Sequence, residues 1–246
     1  MRCYLESDTF EGTAVHLSIS MEFNSEDSVA SSDYDHLIRK LAAFLQEFSH
    51  VPFYIRIGYE FDGSWNDYDP DNFKAAWRRI VDHLRAEKIE NFVTVFGSSR
   101  NHIARETWDD YWPGDEYVDW IGYSFWFYEP FEDVALQIAR EKDLPVMMAE
   151  VAPRGFFLSQ LNQLPIYDWY ETLFAYIEAN RDVIKALAYI NAYWEQQPMW
   201  NGNGWGDTRV QVNEPVKQWW VKKMAEPGYL HGPEGLYKAI GFEPGR

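Results

Sequence analysis

Short apolar runs rich in β-branched and aromatic residues alternate along the chain with segments whose apolar residues recur at helical spacing. Six runs stand out: "TAVHLSIS" (13–20), "PFYIRIGYE" (52–60), "NFVTVFG" (91–97), "VDWIGYSF" (118–125), "PVMMAEV" (145–151) and "KALAYINAYW" (185–194). Most are apolar at nearly every position, as strands covered on both faces are. Their alternation with helices predicts repeated β-α units around a parallel sheet.

The clearest helix is "DPDNFKAAWRRIVDHLRAEK", in which Phe73, Ala76, Trp77, Ile80, Val81 and Leu84 fall at offsets that share one face. Asp69 before Pro70 marks its start with a capping side chain and a fixed φ at the first helical position. "SDYDHLIRKLAAFLQEFS" repeats the pattern with Leu37, Ile38, Leu41, Phe44, Leu45 and Phe48. Further helices are expected near 131–142, 166–180 and 214–225, the last carrying Trp219 and Trp220. No Gly/Ser linker or low-complexity tract divides the chain, so a single domain over 1–246 is expected.

Alternating strands and helices form either an open sheet or a closed barrel. The chain contains no GxGxxG after its first strand and no GxxxxGK[ST], so the nucleotide-binding open sheets lose their support. Acidic and aromatic residues instead gather at the carboxyl ends of the strands, where a (β/α)8 TIM-type barrel builds its site.

Composition narrows the ligand. A net charge of −17 offers no basic patch to phosphate backbones and repels anionic membranes, which argues against nucleic-acid and membrane partners. Aromatic residues make up 18% of the chain, a surplus that suits a neutral sugar ligand as well as plain cores. One cysteine, Cys3, excludes an intramolecular disulfide, and the six histidines form no HExxH, so neither metal nor cofactor is expected. "MRCYLESDTFEG" has no apolar stretch of signal-peptide length, so no export signal is expected in the chain as written.

Carboxylates at strand ends, without a metal or nucleotide motif, suit cleavage of a glycosidic bond: one acid protonates the leaving oxygen and another attacks or activates water. Glu60 ends the second run, and Glu150 stands in the fifth, 90 residues further on. Period-two alternation places Tyr54, Arg56, Gly58 and Glu60 on one face, so Arg56 is expected to point where Glu60 points and to keep the nucleophile ionised.

These stretches resemble glycoside hydrolase family 26, a clan A family of retaining endo-acting enzymes that includes β-mannanases. "PFYIRIGYEFDGSW" is similar to that family's acid/base strand, with Arg four residues before the catalytic Glu and a Gly and a Trp after it. "YWPGDEYVDWIGYSFW" resembles its strand-six signature, and "LPVMMAEVAPRG" its nucleophile strand. The resemblance implies that Glu60 is the general acid/base and Glu150 the nucleophile, and that Trp194 forms the floor of the cleaved-sugar subsite. It implies retention, which requires carboxyl groups about 5–5.5 Å apart rather than about 6.5–9.5 Å.

Three departures qualify the match. Tyr59 precedes the acid/base where the family carries His. Trp126 occupies the place of a Tyr that hydrogen-bonds the nucleophile, so Tyr123 or Tyr128 would have to substitute. Only one convincing strand precedes the run of Glu60, so one or two N-terminal β/α units are missing, even if "RCYLE" is a strand remnant. Either the chain is a fragment, the barrel closes with fewer strands, or another chain fills the opening as in a homo-oligomer.

Trp65, Trp126, Trp194, Trp200 and Trp205 are candidates for stacking on sugar rings, with Trp194 and Trp65 foremost, while mid-helix Trp77 reads as core. "NGNGWGDTR" reads as a cleft-lining loop in which Asp207 and Arg209 pair. Glu22, Glu129 and Glu195 are competing acids of the ordinary loop kind, and His16 and His102 stand alone. The expected activity is endo-hydrolysis of a neutral β-linked polysaccharide, first β-1,4-mannan, with β-1,3-xylan or β-glucan as alternatives. A carbohydrate-binding protein without activity is the reading from a different class.

Overall fold

In a computed structural model, residues 2–21, 25–128, 133–160, 164–230 and 235–243 are described. All six apolar runs form strands: β1 (Val15–Ile19), β2 (Phe53–Ile57), β3 (Phe92–Ser98), β4 (Trp120–Phe125), β5 (Val146–Val151) and β6 (Ile184–Tyr189), in chain order across the sheet. The helices are α1 (Arg2–Leu5), α2 (Ser25–Ala30), α3 (Asp35–Glu47), α4 (Pro70–Ala86), α5 (Arg105–Tyr111), α6 (Val134–Lys142), α7 (Leu164–Ala179), α8 (Glu214–Met224) and α9 (Leu236–Ala239). The chain packs as two compact units, residues 1–99, 103–121 and 230–246 in the first and 100–102 and 122–229 in the second.

In the first unit β1, β2 and β3 pair in parallel, with Val15 opposite Phe53 and Ile19 opposite Ile57, then Phe53 opposite Phe92. Helix α4 begins as its sequence dictates: the Asp69 side chain accepts from the N–H groups of Asp71 and Asn72 beside Pro70. Its six apolar positions, Phe73 to Leu84, are all buried, and Phe73, Ile80, Val81 and Leu84 each contribute on the order of 1.5–3 kcal/mol by leaving water. Asn91 joins the layers. Its buried amide donates to the carbonyls of Leu45, in the last turn of α3, and of Phe48 and Val51 beyond it, each at 3.0 Å.

In the second unit β5 and β6 pair in parallel. Helix α6 stops at Asp143, which takes a left-handed φ of 54° and lets its own N–H return to the last helical carbonyls. Trp219 and Trp220 of α8 pack on Tyr170 and Phe174 of α7, Trp219 stacking on Tyr170 at 5.3 Å.

Several expectations need correction. "RCYLE" is helical, because Arg2 pairs with Glu47 and lies over the rings of Phe44 and Phe48, which ties the segment to α3. The sixth strand ends at Tyr189, before "INAYW", where the chain turns to be gathered around Thr208. Helices α2 and α5 were not anticipated, being too short to show a period. Leu37, expected on the apolar face of α3, is 45% exposed. Residues 131 and 132 of the helix expected near 131–142, and the competing acids Glu22 and Glu129, lie outside the described residues. Among the described residues no helix is long and apolar enough to cross a membrane.

Candidate active site

Glu60 lies three residues beyond the end of β2, in backbone that has left the strand. Gly58 and Glu60 both have φ of +52°, so the period-two alternation that was to carry Arg56 and Glu60 to one face ends at Ile57. Gly58 is required twice over, since a Cβ there would also meet Phe73 at 2.5 Å and Met21 at 2.6 Å. A left-handed glutamate costs roughly 1–3 kcal/mol and persists only where its surroundings fix it. Those surroundings are specific: Asn66 donates from one amide nitrogen to the carbonyls of Tyr59 and Glu60 at 2.9 Å, and Gly63 N–H donates to the Glu60 carbonyl at 2.8 Å. Phe61 anchors the next position, stacked on Phe96 at 4.5 Å and edge-on to Trp108. Asp62 accepts from both the N–H and the hydroxyl of Ser99, which fastens this loop to the end of β3.

The Glu60 side chain is 8% exposed, and its Oε2 accepts from the Trp65 indole at 3.1 Å. Trp65 is itself 62% exposed. Within β2, Arg56 is fully buried, opposite Ser18 of β1, with its guanidinium 5.4 Å from the Tyr59 ring centre. His16, one step down the ladder and opposite Tyr54, is held to a pKa of about 4, by burial first and by the charge of Arg56 second. It is a half-buried histidine whose Nε2 is buried without a hydrogen-bond partner among the described residues.

Glu150 occupies the next-to-last position of β5 and is half-buried. Pairing with β6 slips there: Met148 faces Leu187 and Val151 faces Tyr189, so β5 spends one more residue than its neighbour across the interval that contains Glu150. Such a slip re-aims the side chains within it and is typical of strand ends at functional sites. The ladder resumes with Ile190 N–H donating to the Val151 carbonyl at 2.8 Å.

Beyond β6 four tryptophans meet. Trp194 touches Trp126 at 6.1 Å, Trp200 at 5.7 Å and Trp205 at 5.0 Å, and Arg154 lies 4.0 Å over Trp205. Trp194 is only 6% exposed, and its N–H donates to Thr208 Oγ1 at 3.1 Å. The indole donor is therefore occupied within this turn. Thr208 also donates toward the carbonyls of Ile190 and Ala192, which makes it the centre of this turn. The "NGNGWGDTR" loop is bound to the segment after β5 through Leu158 N–H to the Asp207 carbonyl and Asp207 N–H to the Phe156 carbonyl. Asp207 and Arg209 pair through two bonds of 2.8 Å. Burial raises the Asp207 pKa, but the Arg209 bonds outweigh it and the net shift is downward.

Tyr123, offered as a substitute partner for the nucleophile, is fully buried with its hydroxyl donating to Tyr176, and burial holds its pKa well above the ordinary phenol value. It belongs to the packing of β4 against α7, away from solvent. Tyr128 is exposed. Glu195 serves its own loop, accepting from the N–H groups of Gly202 and Gly206. Sequence reasoning missed Asn66, Asp62, Ser99 and Thr208; none belongs to a periodic pattern, and their partners include backbone atoms that folding brings close. Among the described residues no three His, Cys, Asp or Glu side chains converge as metal ligands.

The sequence model of glycosyl hydrolase family 26 matches residues 5–195, most of the chain. The chain belongs to that family. It is 28% identical to the β-1,3-xylanase TXYA of a Vibrio species across 92% of this chain, and 26% identical to a β-1,3-xylanase of an Alcaligenes species across 96%. It spans about half the length, 55%, of each of those curated relatives. Among solved structures it is similar to a GH26 β-mannanase from Bacteroides ovatus, with a TM-score of 0.66 at 19% identity, covering 93% of this chain and 73% of that one. An endo-β-1,4-mannanase double mutant from Cellulomonas fimi gives 0.63 at 18%, covering 92% and 57%. The fold is therefore that of the family's (β/α) barrels, represented here by six strands; eight units are not found among the described residues.

Proposed function

We propose that this chain carries the hydrolytic site of a retaining, endo-acting β-1,3-xylanase. In this reading Glu60 gives its proton to the glycosidic oxygen while the Glu150 carboxylate attacks the anomeric carbon, forming a glycosyl-enzyme and breaking the C–O bond. Glu60, now ionised, takes a proton from water, whose oxygen displaces Glu150 and restores the β-configuration. Arg56 acts as a buried cation that favours the ionised nucleophile. Tyr59 and the Trp126, Trp194 and Trp205 cluster contact the sugar, with Trp65 as an exposed aromatic beside the acid.

The observation that supports the xylan assignment is identity to two proteins named as β-1,3-xylanases over more than nine-tenths of the chain. Mannan, the first expectation from sequence, is the second reading. It draws on the mannanases among structural neighbours, whose identity below 20% speaks for fold alone. Reducing-sugar release from β-1,3-xylan, β-1,4-mannan and β-glucan separates these readings, with the anomer of the first-formed product read by NMR. The expected result is cleavage of β-1,3-xylan with retention, falling by about 10⁴-fold or more in Glu150→Ala. Cleavage of mannan instead would replace the substrate, and binding without cleavage of any glycan would leave a carbohydrate-binding protein.

A further inference from the structure

The contact between Trp65 and Glu60 decides more than the orientation of a carboxylate. An indole N–H donates and does not accept. Oε2 of Glu60 faces that N–H at 3.1 Å, so Oε2 is an acceptor whether the acid is protonated or ionised. The pose of the indole is itself built in, because a Cβ on Gly63 would lie 2.5 Å from Trp65 Cε2 and 2.9 Å from its Nε1. Gly63 does not have the left-handed backbone found at Gly58, so what its missing Cβ supplies is room for the ring. The ring is mostly exposed, which leaves the carboxylate, and not core packing, as the fixed object it binds.

We propose that Trp65 is a positioning residue that assigns the proton of Glu60 to Oε1 and favours the ionised form of the acid. The proposal rests on the reading of Glu60 as the acid/base. In the first step the Oε1–H bond breaks and its proton passes to the glycosidic oxygen; in the second, an Oε1 lone pair takes the proton of the attacking water. A hydrogen bond to the ionised form lowers a carboxyl pKa, and the basic limb of the rate profile reports the group that must be protonated. Removal of the N–H therefore moves that limb upward.

The test is the pH dependence of kcat/KM on β-1,3-xylan, or on mannan if the glycan panel selects it, for the parent, Trp65→Phe and Gly63→Ala. Phe keeps a ring without the donor, and Ala displaces the indole while keeping it, so the two variants reach the same bond independently. Both should move the basic limb up by about one pH unit. The Trp65 indole ¹⁵N–¹H signal should titrate at the midpoint of that limb and cease to titrate in Glu60→Gln. A rise in KM with the limb unmoved in both variants, or an indole signal that does not titrate in the parent, would overturn the proposal and leave Trp65 a sugar platform. The underlying reading is checked separately: azide should restore turnover of a 2,4-dinitrophenyl β-glycoside by Glu60→Ala and give a β-glycosyl azide. Rescue with an unmoved limb rejects only the role of Trp65, whereas no rescue rejects Glu60 as the acid/base.

Discussion

Glu60 in the first unit and Glu150 in the second both stand at the carboxyl end of a parallel strand where regular geometry has been broken, but the break is made differently. After β2 the backbone itself leaves the strand, through left-handed Gly58 and Glu60, and the new path is held by side chains: Asn66, Asp62 with Ser99, and Phe61 in its aromatic nest. In β5 the chain stays extended and slips by one residue against β6, with the backbone ladder resuming at Val151. A carboxylate held by the first device depends on a few side chains outside the strand. One held by the second depends on whatever keeps β5 and β6 in register, including the loops that follow them.

The largest effect that would sharpen this contrast is expected at Gly206, whose φ is +91° and whose Cβ would fall 2.1 Å from the Phe156 carbonyl oxygen. Gly206→Ala should separate the two loops of the second unit and lower unfolding stability by about 3 kcal/mol or more, measured by urea denaturation. An unchanged midpoint would mean that the loop pairing contributes nothing to that unit. Next in size is Asn66→Ala, which leaves two carbonyls without their buried donor and should cost about 1–3 kcal/mol. The Glu60 carbonyl then keeps only the Gly63 N–H of these two donors, so the acid is held less firmly and kcat should fall while KM holds. If kcat survives, the side-chain staples do not place the acid.

An effect that appears only on acidification lies in the ladder below Glu60. His16 has its pKa depressed to about 4 by burial and Arg56, against about 6.5 when unfolded. The unfolded chain therefore binds a proton that the folded chain refuses, and stability from neutral His16 is full above pH ~6.5 and lost as pH falls toward 4. Denaturation midpoints from pH 7 to 4.5 should fall more steeply in the parent than in His16→Gln. Equal slopes would show that the first unit tolerates a second charge beside Arg56.

Much of this molecule is legible in its sequence. The six strands, the capped start of α4 and its buried face follow from local periodicity and local capping, and those interactions act between residues a few positions apart. Glu60 and Glu150 were legible as strand-end acids for the same reason. The backbone path that carries Glu60 was not, because alternation holds only while φ stays extended, and nothing in "RIGYE" announces a left-handed glutamate. The partners of Tyr123 and Trp194 were not legible either, because an aromatic near a strand end can face solvent or core. Tyr176 claims the first, and Thr208 with three other tryptophans claims the second.

By itself, then, the sequence determined the parallel β/α alternation, the position of its two candidate acids along the chain and its net charge of −17, since periodicity, spacing and net charge are properties of the chain before it folds. Only the tertiary structure decided which side chains hold those acids. The bonds from Asn66 to Glu60, from Ser99 to Asp62 and from Trp194 to Thr208 exist because folding brings donors to acceptors that sequence spacing does not specify.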